Sequence, residues 1–268
     1  MYLSNIENSD FWSAAKRQGR VMYALMLRNI RTKFFGNGFG YIVSVGWPLS
    51  HILILVIVFS VTGRTAPFGD STALFVATGI VPFQAFSYMS RFMMLALVKS
   101  KQLLAFPEVK VLDMLFAAAL VEIMTAFSVV IVFLIIAWFS HIDAIPRDIV
   151  QASCALGACI LLGIGFGLVN GLICLAFYHW YSGYSLIMIL FWLTSGVYFV
   201  PDALPAVVRE PMAYLPVVQL VEWMRSAYYE GYGEMMLDRT YTIVFGLASI
   251  FVGLGLERLM RGYVLARR

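Results

Sequence analysis

Apolar residues in this chain do not alternate with polar ones; they gather into long runs separated by short polar breaks. The runs fall at about 38–61, 72–97, 111–139, 149–176, 183–200 and 240–262. Each approaches or exceeds the ~20 residues needed to cross a hydrocarbon core, so the pattern predicts six transmembrane helices. Ahead of them the period changes. Arg17, Arg20, Arg28 and Arg31 fall on one helical face, and Phe11, Ala15, Met22, Leu25 and Met26 on the other. With Ser9 or Asp10 as its cap, the segment 9–35 is expected to be an amphipathic helix on the cytoplasmic leaflet, its cations turned to lipid headgroups or a partner.

One stretch fits neither a span nor a loop. Ser195 to Gly233 carries Pro201, Pro205, Pro211 and Pro216, yet most of it is apolar. Interior prolines remove a backbone donor and clash with the preceding turn, so its first part cannot be one spanning helix. Irregular backbone at membrane depth is tolerated only inside protein or against a wet cavity. The expectation is a re-entrant helical hairpin over 201–235, broken at Pro205 and Pro216, with Glu222 and Arg225 at i and i+3 holding its shape.

Composition supports the membrane reading. Of 268 residues, 61% are hydrophobic and 13% charged, with a mean hydropathy of +0.84; soluble domains carry ~25% charge. The net charge of +4 matters by position. Six Lys and Arg precede the first span, three (Lys99, Lys101, Lys110) lie between the second and third, and four (Arg258, Arg261, Arg267, Arg268) follow the last. The connections at Arg64 and Arg147 have one each, the fifth connection has three, and 177–183 has none. That asymmetry places both termini in the cytoplasm and the proline-rich stretch outside. No basic tract interleaved with aromatics suggests nucleic acid, and the N-terminus has no signal-peptide core. Cys154, Cys159 and Cys174 sit in one apolar run without metal or redox spacing and read as reduced thiols buried in lipid or protein.

Catalytic signatures are missing. There is no phosphate loop, HExxH, DxD or GxSxG. His51, His141 and His179 lack second ligands at helical spacing, so no metal site is expected. The charges within spans are Arg91, Asp113, Glu122, Glu257 and Arg258. Charge at membrane depth is costly and faces the bundle or a watery path. Arg91 therefore either contacts an anionic substrate or snorkels to the interface, and Glu122 most simply pairs with a neighbour and holds the bundle, a place on the pathway being its alternative. Tyr228, Tyr229, Tyr232, Tyr241 and Trp223 suit an interfacial aromatic belt, with a subset such as Tyr228 available to line an exit. Span four has GxxxG spacings at Gly163/Gly167 and Gly167/Gly171, which permit close helix approach, more simply within the bundle than across a dimer. The connection Lys99–Lys110 suits a short helix stopped by Pro107, projecting Leu103, Leu104 and Phe106 towards a docking partner, or a plain connector.

These residues together resemble the membrane subunits of type-2 ABC exporters, and within them the capsular polysaccharide export permeases (KpsM-like). The likeness rests on ALMLRNIRTKFFGNGFGYIVSVGWPLSHI (24–52), VPFQAFSYMSR (81–91), QLLAFPEVKVLDMLFAAALVE (102–122), and VPDALP and LPVVQLVEWMR in the proline-rich stretch. It implies a single permease domain over 1–268 in the bacterial inner membrane, working as a homodimer with two copies of an ATP-binding subunit. That subunit would hold ATP and Mg, with no cofactor in this chain. The segment 99–110 becomes the coupling helix, with Lys101, Leu103, Leu104, Phe106, Pro107 and Glu108 at the ATPase. Arg91, Trp47, Tyr88 and Tyr228 become pathway candidates, and Glu222, Arg225, Pro205 and Pro216 shape the outer gate. The cargo would be a lipid-linked, usually anionic polysaccharide, passed to a periplasmic adaptor and an outer-membrane exporter. Trp47 stands before Pro48 where the family usually has an acid, and Phe34 and Phe35 replace a single aromatic. Alternatives are a type-2 permease for O-antigen, teichoic acid or a small amphiphile, and a membrane glycosyltransferase or polymerase using Asp202, Glu210, Glu222, Glu230, Glu234 or Asp238. A scaffold that only recruits capsule machinery is a third.

Overall fold

The computed structural model describes residues 2–33, 38–63, 65–233 and 235–266. The readings made for Phe34, Phe35, Arg64, Glu234, Arg267 and Arg268, and for the side chains of Phe11 and Arg261, lie outside the described residues. The helices are α1 (Tyr2–Lys33), α2 (Gly38–Val61), α3 (Thr72–Lys99), α4 (Val111–Phe139), α5 (Ile149–Ala176), α6 (Trp180–Thr194), α7 (Ala206–Ala213), α8 (Pro216–Ser226) and α9 (Arg239–Ala266). Short 3-10 turns occupy Lys101–Ala105 and Pro201–Ala203, and no strand is found among the described residues. Helices α2, α3, α4, α5 and α9 are long and apolar enough to cross a membrane. The protein is an all-α polytopic membrane protein.

The centre of the bundle is α5, and its glycines explain why. A Cβ added at Gly163 would stand 2.7 Å from Met89 Cβ, and one at Gly167 2.8 Å from Met93 Cβ. Both sequences advance by four residues, so α3 and α5 run parallel with methionines seated in a glycine groove, and the GxxxG spacings serve packing inside the chain. On another face, Gly165 admits Ser249, while Gly246 and Gly253 of α9 admit Leu161 and Leu168. The register again rises together, so α9 is parallel to both.

Three parallel helices therefore begin at one end of the bundle, and each begins with a side-chain cap. Ser71 accepts from Leu74 N at 3.3 Å, Asp148 from Gln151 N at 3.0 Å, and Asp238 from Tyr241 N at 2.8 Å. Each satisfies one of the donors a helix start leaves open.

The apolar run 183–200 is taken up differently from the others. Helix α6 has 15 residues, about 22 Å at 1.5 Å per residue, which is short of a ~30 Å hydrocarbon core. It stops because Gly196 turns into the left-handed region at φ 78°, where a side chain is strained, and a Cβ there would meet the Pro201 ring at 2.9 Å. Ser195, Gly196 and Val197 then tuck inward and are buried. Helix α6 nonetheless runs from the end of α5, where Trp180 Nε1 donates to Asn170 Oδ1 at 2.7 Å, back to the turn at Gly196 that Arg225 of α8 holds.

Helix α1 starts ahead of Ser9 and Asp10, so neither caps it. Arg17, Arg20 and Arg31 are exposed and Arg28 is partly buried, whereas Leu25 is buried and Met22 and Met26 are partly so. The apolar face does not simply rest on a lipid surface: it packs along α4, where Gln18 Nε2 donates to Asp113 Oδ1 and Lys33 pairs with Glu122.

Candidate functional site

Three clusters hold the polar groups that sequence singled out. The first is the hairpin at the capped end. Helix α8 opens on Pro216, which fits the first helical position because its missing N–H would be unpaired there anyway. Every residue from Pro216 to Arg225 is buried, since the helix wedges between α3 and α5. Asp148 N donates to Ala227 O at 3.0 Å and Trp223 Nε1 to Gln151 Oε1 at 2.9 Å, tying it to α5.

Arg225 is 0% exposed. Its Nη1 donates to Gly196 O at 2.7 Å, Phe199 O at 3.2 Å and the Tyr232 hydroxyl at 3.1 Å, and its Nη2 to Val197 O at 2.8 Å and Phe75 O at 3.3 Å. The guanidinium also lies 3.8 Å over the Phe75 ring, a favourable cation–π placement when desolvated. A buried charge is costly unless its donors are used; here the two Nη groups bind the turn after α6 to the first turn of α3, while Nε finds no partner among the described residues. Gly79 makes room, since a Cβ there would stand 2.7 Å from Arg225 Nη2.

Glu222, also 0% exposed, does not form an ion pair with Arg225. The Tyr232 hydroxyl donates to Glu222 Oε1 at 2.9 Å, so that the phenol joins the two charges, while Glu222 Oε2 finds no partner among the described residues. Burial pushes the Glu222 carboxyl up to about 7, against the opposing pull of Arg225 and the Tyr232 bond. The expected Glu222–Arg225 contact is thus corrected to a relay through Tyr232. At i and i+3 the two side chains share a face, but the guanidinium is drawn to main-chain carbonyls. Pro216 starts α8 as expected, and Pro205 precedes α7 in an extended conformation.

Gln219, which nothing in the sequence marked, stitches the hairpin shut. Its amide donates to Ala213 O and Met236 O, each at 2.8 Å, and accepts from Asp238 N at 2.8 Å. The carboxylates considered for catalysis have separate tasks: Asp238 caps α9, Glu230 pairs with Arg147, and Glu222 is sealed inside, while Glu210 is exposed and Asp202 partly buried.

The second cluster lies between α2, α3 and α4. Gln84, Tyr88 and Arg91 follow one another at i, i+4 and i+7 on α3, so they line one face. Tyr88 and Gln84 border a small recess shared with Pro48, Glu122 and Thr125. Trp47, Arg91 and Glu122 all lie within interaction range of the Tyr88 hydroxyl. Trp47 is 62% exposed and sits edge-on against His51 at 5.3 Å. Lys33 of α1 completes the group: it pairs with Glu122, donates to Thr125 Oγ1 at 2.9 Å and lies 4.4 Å over the Phe92 ring. Three of the four pathway candidates are therefore neighbours. Tyr228 is not; it borders an apolar recess at the capped end. Lys33 escaped notice because its partner is 89 residues away, and a lone lysine at a helix end carries no spacing signal.

The third cluster is the connection between α3 and α4. The helix expected over 99–110 is only the 3-10 turn Lys101–Ala105, with Phe106 extended ahead of Pro107, as the residue before a proline tends to be. Leu104, expected to project outward, is 3% exposed and belongs to the core with Leu97 and Leu115. Leu103 is half-buried. Phe106 is 60% exposed, and Lys101, Pro107 and Glu108 are exposed beside it. Asp113 steadies the start of α4 by accepting from Lys110 N at 3.0 Å.

Comparison with known proteins places this arrangement. Residues 20–229 match the membrane family described as ABC-2 type transporter. The polysialic acid transport protein KpsM of Escherichia coli is 28% identical over 236 residues, covering 88% of this chain and 91% of its own. The capsule polysaccharide export inner-membrane protein CtrC of Neisseria meningitidis serogroup A is 25% identical over 256 residues, covering 94% and 95%. The corresponding protein BexB of Haemophilus influenzae is 24% identical over 253 residues, covering 91% and 95%.

Proposed function

This chain belongs to the ABC-2 type transporter family, and from that premise we propose that it is the permease subunit of an exporter carrying a capsule-type polysaccharide across the bacterial inner membrane. The observation that carries the reading is the extent of the likeness. Relatives named for polysialic acid transport and capsule polysaccharide export align with this chain over 91–95% of their own length.

The energy comes from a partner. Two copies of an ATP-binding subunit dock on two copies of this chain, at the exposed corner of Lys101, Phe106, Pro107 and Glu108. Both termini are cytoplasmic and the α7–α8 hairpin faces outward. Arg91, Tyr88 and Trp47 line the inner part of the path of a lipid-linked, acidic polymer, and Tyr228 stands near its exit. Arg91 supports an anionic cargo because its cation is partly buried beside Tyr88, where a solvated counterion is poorly accommodated. The polymer is received by a periplasmic adaptor and an outer-membrane exporter.

The test is co-purification with the ATP-binding protein encoded beside this chain, followed by ATP turnover with and without lipid-linked polymer. A stable complex whose turnover rises with acidic polymer is expected. No complex, or turnover indifferent to any polysaccharide, overturns the reading. Arg91→Gln should lower export of an acidic polymer more than of a neutral one; equal loss returns Arg91 to an interfacial anchor.

A further inference from the structure

A recess of about 340 Å³ opens between α3, α4, α5 and α8 at the hairpin end, within the ~300–1,000 Å³ of small-ligand pockets. Ala77, Ala152, Phe133 and Leu156 are among the residues that line it. Three hydroxyl side chains border it: Thr78 donates to Leu74 O at 2.9 Å and Phe75 O at 3.0 Å, Ser153 donates to Ile149 O at 2.8 Å, and the third is the phenol of Tyr228. With the Tyr228 phenol as the hydroxyl not bonded to a helix carbonyl and the rest of the lining mostly Ala, Val, Leu, Ile, Phe, Pro and Met, the interior presents mainly hydrocarbon, which suits an alkyl chain better than a sugar or a phosphate. Its mouth is rimmed by the exposed Ile145 and Ile149.

Ile149 also borders a second, polar cleft of about 640 Å³. Arg147, Asp148, Glu230 and Arg239 line that cleft, and Arg147 pairs with Glu230. Two cations and two anions stand on one shelf beside an alkyl-sized slot. That combination matches neither a simple anion nor a free fatty acid. We propose that the recess and shelf together hold one zwitterionic phospholipid of the surrounding bilayer, with an acyl chain between α4 and α5, its phosphate towards the arginines and its ammonium towards Asp148 and Glu230. The site lies apart from the Arg91 cluster and does not depend on which cargo is exported. Its effect is structural: a bound chain fills the gap beside α8 and so supports the hairpin from the lipid side.

The full chain would be reconstituted in nanodiscs of mixed phosphatidylethanolamine and phosphatidylglycerol, with a trace of either lipid bearing a photoactivatable diazirine on its acyl chain. Labelling by the ethanolamine lipid is expected to concentrate on the peptides around Phe133, Ile145–Leu156 and Tyr228, severalfold above that by the glycerol lipid. Ala152→Phe should abolish this labelling while leaving that of α2 and α9 unchanged. Glu230→Arg, at an exposed position that folding does not depend on, should turn the preference towards the anionic lipid by roughly tenfold, as added basic charge does at anionic headgroups. Equal labelling by both lipids, a pattern spread evenly over all lipid-facing helices, no response to Glu230→Arg, or a recess sealed by a second copy of the chain and reached by neither lipid would each overturn the proposal.

Discussion

Arg225 and Tyr232 meet in a hydrogen bond of 3.1 Å, and the same phenol donates onward to Glu222 at 2.9 Å. One hydroxyl therefore serves two buried charges that do not touch. Tyr232→Phe keeps the ring packed on Phe68, where the centroids lie 5.0 Å apart, but leaves Glu222 Oε1 without its donor. Hydrogen bonds to charged groups contribute ~1.5–3 kcal/mol, and a loss in that range is expected in reversible detergent unfolding. The exposed Tyr214→Phe should change stability little.

Stability should also depend on pH through Glu222. Its carboxyl is raised by burial from the ordinary 4.5 to about 7, so between those values the folded chain binds a proton that the unfolded chain has released. Stability then falls as pH rises across that window, and the contribution is fully present only below the unfolded value. Thermal midpoints measured from pH 4.5 to 7.5 should decline in the native chain and flatten in Glu222→Gln. A decline of equal slope in both would assign it to other groups.

Much of this architecture is legible because lipid-spanning helices write themselves in composition. The runs that became α2, α3, α4, α5 and α9 are long and continuous, and the glycine spacing of α5 announced close packing. The short α6 was hidden because its last residues remain apolar after the helix has ended; only Gly196 hints at the turn, and one glycine in an apolar run is a weak signal. The site residues divide the same way. Arg225 and Glu222 stand out as charges among apolar neighbours, but their partners are carbonyls of Gly196, Val197, Phe199 and Phe75, which no side-chain pattern encodes. Leu104 and Phe106 look alike in sequence and separate only when the 3-10 turn sets one inward and the other out.

The glycine groove of α5 offers a graded test. Gly163→Ala brings a methyl group to 2.7 Å from Met89 Cβ, a main-chain-anchored atom that cannot swing away, so overpacking of ~1–3 kcal/mol is expected. Gly157, in the same helix, has nothing within 4 Å of an added Cβ; Gly157→Ala should stabilise by ~0.5–1 kcal/mol through helix propensity. Unfolding of the two variants side by side checks both signs.

The α3–α4 connection separates docking from folding. Leu104→Ala empties a core position and should cost ~2–5 kcal/mol. Phe106→Ala removes an exposed ring and should leave the unfolding curve unchanged. In pull-down of the ATP-binding partner the order should reverse for protein that is folded, with Phe106→Ala losing most of the complex. Retention of full complex by Phe106→Ala would remove this corner from the docking surface.

Lys33 and Glu122 join α1 to α4 in a largely enclosed pair, and the energetics of such a pair are asymmetric. Removing one partner strands the other charge, which costs ~3–5 kcal/mol, whereas replacing both with neutral groups of similar volume is close to neutral. Lys33→Met and Glu122→Gln should therefore each destabilise the chain, and the double variant should recover most of the loss. The double variant also disconnects α1 from the face where Tyr88 and Arg91 sit. If α1 transmits movement to that face, the double variant will fold normally, bind its partner, hydrolyse ATP and export little polymer; unchanged export would leave the pair a structural clasp alone.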